Sequence, residues 1–99
     1  MSHAEATLVV DDDRIRVTRW SFAMAGDETG AHLHEFDYVV VPVTGGELTV
    51  VSGDGTEKAM VQLAGEPYEG VAGTRHNVVS ADAASVVFVE IELKAQGGL

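Results

Sequence analysis

Three histidines carry the chemical potential of this chain. His32 and His34 stand one residue apart in ETGAHLHEFDY (28–38), and His76 stands in AGTRHNVVS (72–80). The chain has four histidines in all; the fourth, His3, lies near the N-terminus. On a β-strand successive side chains alternate between faces, so two histidines at i and i+2 point the same way. That spacing lets two imidazoles converge on one ion, whereas helical pairs need spacings of three or four. The pair could equally act as acid and base or decorate a solvated strand, and a lone His-x-His does not separate these. A third histidine on another predicted strand, again just after a glycine turn, shifts the balance towards a metal site.

Positioning those side chains is the task of short strands. Thr7–Val10, Arg14–Met24, Ala31–Phe36, Tyr38–Val43, Leu48–Val51, Glu57–Leu63, a brief strand around Tyr68, Thr74–Ser80 and Ser85–Lys94 all read as strand. They are rich in Val, Thr and aromatics and are broken by turns such as AGDETG, TGGE, SGDG and ADAA. No segment keeps apolar spacings of three and four over ten residues, so no long helix is expected. Eight or nine strands with frequent turns fit a sandwich or closed barrel, and closure would protect the edges of so valine-rich a chain.

With these residues in place, the sequence resembles the cupin superfamily. Gly26, five residues, His32-x-His34, three residues, Tyr38, six residues and Gly45 are similar to its first motif. Gly65, five residues, Val71-Ala72-Gly73, two residues, His76, three residues and Ser80 are similar to its second. The resemblance implies one all-β domain over 1–99, a double-stranded β-helix (jelly-roll) barrel, with 1–6 and 95–99 loose. It also implies that His32, His34 and His76 point inward as ligands of a divalent transition metal. Three-histidine members of this kind include thiol and diketone dioxygenases that use ferrous iron. Fe(II) is therefore the favoured ion, although imidazole also suits Zn, Ni, Cu and Mn.

Position 38, where most metal-binding cupins carry a glutamate ligand, is Tyr38, and the one-residue-longer spacing reaches only Val39. Val71 and Ser80 replace a proline and an asparagine that shape turns. Three neutral imidazoles leave a divalent ion its full +2 charge, which favours anionic or chelating ligands. Tyr38 is either a core aromatic or a hydroxyl beside the open coordination positions, and it is the candidate catalytic residue. Glu35 and Asp37 have the opposite parity to the histidines and are expected to face out, unless a bulge near Phe36 turns Asp37 inward. Glu90 and Glu92, on the apolar last strand, read as outward edge charges. Arg75 alternates away from His76. Trp20, Phe22, Met24, Phe36 and Phe88 read as core or pocket lining.

Composition narrows the function classes. There is no cysteine, which removes disulfides and thiolate chemistry together. A net charge of −10, from 16 acidic against 6 basic residues, repels phosphate backbones and disfavours nucleic acid as a partner. The longest apolar run, VVVPV (39–43), is far too short for a membrane-spanning helix, and the N-terminus does not read as a secretory signal. The expected protein is cytoplasmic, binds a small molecule and pairs as a homodimer. An oxygen-dependent enzyme acting on a small organic acid or diketone, a non-catalytic binding or sensor module, and a metal-free isomerase with a histidine base all remain open.

Overall fold

The alternation of inward and outward side chains gives the barrel its layers. In the computed structural model, which describes residues 2–94, the strands are β1 (Glu5–Asp11), β2 (Ile15–Phe22), β3 (His32–Leu33), β4 (Asp37–Pro42), β5 (Gly46–Ser52), β6 (Glu57–Gln62), β7 (Tyr68–Gly70), β8 (Arg75–Ser80) and β9 (Val86–Leu93). Five of them form a sheet in the order β1-β2-β9-β4-β7, and the other four form a second in the order β3-β8-β5-β6. Every pairing within the two sheets is antiparallel. The described residues contain no helix. The all-β double-stranded β-helix is thus the observed fold.

Several boundaries differ from those read off the sequence. β1 opens at Glu5 rather than Thr7, and the Ala4 amide donates to the Glu28 carbonyl, so residues 4–6, expected to be loose, are held to the barrel. Residues 95–99, expected to be loose, lie outside the described residues. β2 stops at Phe22, because Asp27 captures the Ala23 and Met24 amides with its buried carboxylate. Met24 is therefore in a turn and 56% exposed, not core. The strand expected over Ala31–Phe36 shortens to His32–Leu33.

Register stacks the inward-facing residues in rows. Phe22 lies opposite Val86, Trp20 opposite Phe88, Thr18 opposite Glu90, and Arg16 opposite Glu92. On the other side of β9, Pro42, Val40 and Tyr38 face Phe88, Glu90 and Glu92 in turn. The rows at the Phe22 end are dry: Phe22, Leu48, Val86 and Pro42 are the largest fully buried side chains, and the Phe22 and Phe88 rings meet at 5.7 Å between centroids. Burial of such side chains contributes about 1.5–3 kcal/mol each. The rows at the opposite end carry the ionisable groups. The same strands thus anchor the fold at one end and display chemistry at the other.

Candidate metal centre

His32 and His76 are cross-strand partners on β3 and β8, and His34 follows two residues after His32, just beyond β3. Glycines bring the chain into both strands. Gly30 (φ 87°) and Gly73 (φ 90°) adopt left-handed conformations that residues with a Cβ disfavour, and these turns aim the strands that follow. The three Nε2 atoms converge. His34 Nε2 lies 3.0 Å from His32 Nε2 and 3.0 Å from His76 Nε2, and the three side chains form a group able to hold a metal ion.

Several features prepare this cluster for a cation. His32 Nδ1 sits 2.8 Å from the Gly30 carbonyl, which can only accept a hydrogen bond. Nδ1 therefore carries the proton and Nε2 presents a bare lone pair, the outer-sphere arrangement that fixes the tautomer of ligating histidines. The Gly30 amide is held in turn by Asn77 Oδ1 at 3.0 Å. Burial, reinforced by the neighbouring imidazoles, pushes the pKa values of His34 and His76 down to about 4, so both are neutral near pH 7. Nε2 atoms 3.0 Å apart subtend about 90° at an ion placed at the usual metal–imidazole distance of about 2.1 Å.

Tyr38 is buried beside this cluster, with its ring stacked on His34 at 3.9 Å between centroids and 18° between planes. Burial raises its pKa to about 12, so the phenol stays protonated. Opposite Tyr38 across the β4–β7 ladder is Gly70, where a Cβ would fall inside the tyrosine ring. The glycine is the space the ring occupies.

The two glutamates of β9 correct the expectation that they point out. Even-numbered residues of β9 face inward, and Glu92 is only 6% exposed. Arg16 donates to both Glu92 carboxylate oxygens, from Nε at 2.6 Å and from an η-nitrogen at 2.7 Å. Glu90 places Oε1 3.9 Å from His34 Nε2. Burial, with the charge of Glu92 beside it, raises its pKa to about 7, against the pull of Arg16 and a hydrogen bond from Trp20. These carboxylates form a second possible metal-ligating group, with His34 as the shared member. Asp37 does not join them; its Oδ1 accepts the Ala72 amide. Arg75 is exposed, as expected, whereas Phe36 is only half-buried and lies beneath the Arg16 guanidinium.

A cavity of about 200 Å³ opens from the cluster into the barrel. His32, His76, Tyr38, Thr29, Glu90 and Glu69 give it polar groups, and residues such as Trp20, Val40, Met60, Tyr68, Val78 and Phe88 give it apolar surface. It is smaller than the 300–1,000 Å³ typical of drug-sized ligands, so it suits a compact organic molecule.

Comparison with known proteins agrees with this architecture. The chain is 47% identical over 91 residues to BauB of Pseudomonas aeruginosa, named a beta-alanine degradation protein, covering 92% of this chain and 94% of that protein. A crystal structure of a cupin domain from Bordetella pertussis superposes with a TM-score of 0.89 at 40% identity, over 95% of this chain and 96% of that one. A double-stranded β-helix domain from Klebsiella pneumoniae, 20% identical, shares the fold at a TM-score of 0.76 over 97% of this chain and 81% of its own. No protein-family model matches the sequence. The two whole-length relatives, joined to the observed double-stranded β-helix, place this chain in the cupin superfamily.

Proposed function

We propose that this cupin holds one divalent transition metal through His32, His34 and His76 and uses it, as ferrous iron, to oxidise a small organic acid with dioxygen. The observation that carries the reading is the convergence of three imidazoles, with His34 Nε2 3.0 Å from both His32 Nε2 and His76 Nε2, and with His32 and His76 facing a largely apolar cavity. When bound, the ion supplies Lewis acidity and, as ferrous iron, electrons for dioxygen. The near-right angles favour octahedral ions such as Fe(II), Mn(II) or Ni(II) over tetrahedral Zn(II).

In this reading the chain's own side chains hold and shield. His32 is locked in its ligating tautomer by the Gly30 carbonyl, and His34 is held flat by the Tyr38 ring. Trp20, Met60, Val78 and Phe88 give the cavity apolar walls. The name of the Pseudomonas relative directs a substrate panel towards short acids related to β-alanine.

Metal analysis of protein purified without chelators, followed by ferrous-dependent oxygen uptake over that panel, tests the proposal. Stoichiometric metal with substrate-dependent uptake is expected; protein without transition metal and without uptake contradicts it. Metal retention and ligand-induced thermal stabilisation without turnover would instead point to a binding or sensor module. A metal-free isomerase would need Tyr38 to meet a histidine through its hydroxyl, whereas the contact to His34 is ring on ring. The expected homodimer finds support in β1, an edge strand that exposes Leu8, Val9 and Val10; light scattering reads the mass.

A further inference from the structure

We propose that Glu90, with the aromatic wall around it, makes this site selective for a short acid that also carries a protonated primary amine: the acid meets the metal and the ammonium meets Glu90. The inference rests on the metal-binding reading above and names the substrate class for the same site. Glu90 comes from the last strand, outside both histidine motifs, and its side chain is 13% exposed. It faces the cavity beside the histidine cluster, 3.9 Å from His34 Nε2.

It does not complete a four-ligand shell. The metal-binding groups put Glu90 with His34 and Glu92 but not with all three histidines, so its carboxylate stands to one side of the cluster. A carboxylate in that place favours a ligand group that donates hydrogen bonds or carries positive charge. Its surroundings favour a cation more specifically. Trp20, Tyr38, Tyr68 and Phe88 line the same cavity, with Glu69 of β7, an exposed residue, as its other carboxylate, and aromatic faces attract ammonium groups. No lysine or arginine lines that cavity among the described residues. Arg16, at the neighbouring mouth, is already engaged by Glu92.

The opposite end of the ligand is set by the metal. A dication bound only by neutral imidazoles favours an anionic oxygen donor. With Glu90 so near His34, acid and amine must be joined by a short carbon chain, which the cavity of about 200 Å³ also requires.

Calorimetry on the Co(II)-loaded protein tests this with 3-aminopropanoate against propanoate, which lacks the amine, and 3-hydroxypropanoate, which donates without charge. The wild type should bind 3-aminopropanoate at least ~10-fold more tightly than propanoate, with the hydroxy acid between them. Glu90→Gln should bring that ratio to about one while leaving metal content and propanoate binding in place, the latter showing that the variant is folded. Equal affinities in the wild type overturn the inference without any variant. A preference that survives in Glu90→Gln, or loss of metal from that variant, overturns it as well. Wild-type protein that takes up no metal contradicts the metal-binding reading itself, a failure distinguishable from a metal-loaded protein that ignores the amine.

Discussion

The ring of Tyr38 lies flat on the imidazole of His34, 3.9 Å between centroids, in the position where related motifs carry a carboxylate. It contributes shape rather than charge to the cluster, and the space for it is made by Gly70 across the ladder. Gly70→Ala should therefore push the ring off His34. We expect a loss of about 1–3 kcal/mol in stability from overpacking, and a metal affinity lowered ~10-fold or more as His34 loses its support. Tyr38→Phe keeps the stack and should retain both. Thermal denaturation and Co(II) titration of the two variants provide the check.

Arg16 and Glu92 face each other across β2 and β9 in a two-pronged ion pair beside the cluster. Removing the cation alone, as in Arg16→Met, leaves a buried carboxylate uncompensated. Because Arg16 is one-third exposed, the cost should fall at about 1–3 kcal/mol, below that of a fully buried pair. Arg16→Met combined with Glu92→Leu should recover part of that loss. A double-mutant cycle by chemical denaturation measures the coupling.

Metal-free protein should lose stability on acidification below about pH 6.5. His34 and His76 have folded-state pKa values near 4 against an ordinary 6.5, so the unfolded chain binds more protons in that interval. The stability they contribute is complete above pH 6.5 and is lost as pH falls through 4. Glu90 works the other way: raised from 4.5 to about 7, it favours the fold at low pH and loses that contribution as pH rises through 7. Two histidines outweigh one carboxyl group, and Glu90→Gln, which removes the opposing contribution, should steepen the acid loss. Melting curves from pH 4 to 8 on both metal-free proteins decide; an unchanged or shallower slope in the variant contradicts the balance.

How much of the site was legible follows from strand geometry. His32 and His34 share a face because a strand repeats every two residues, and His76 stands out as a third histidine after a glycine turn. Those local facts pointed to an all-β barrel or sandwich, and the resemblance of the two spaced motifs to the cupin pattern supplied the double-stranded β-helix and the histidine cluster. Glu90 and Glu92 were misplaced because VVFVEIEL is apolar at both parities, so alternation does not reveal its inner face. Only the register of β9 between β2 and β4 does so, and register is a long-range property. One signal was available: Trp20 and Phe22 mark the even positions of β2 as inward, which puts Arg16 inside and calls for a buried acid opposite. Gly70 was equally silent, since its role lies in the volume of Tyr38 rather than in its own turn. Met24 left the core because Asp27 ends β2 through its side chain, a capture that alternation alone does not register.

The central claim is that three imidazoles hold one octahedral ion, and Co(II) titration of the metal-free protein tests it most directly. The account predicts saturation at about one ion per chain, weak visible absorption typical of six-coordinate cobalt, and loss of binding in His34→Ala. Intense tetrahedral absorption would contradict the geometry, and undiminished uptake by His34→Ala would contradict the site.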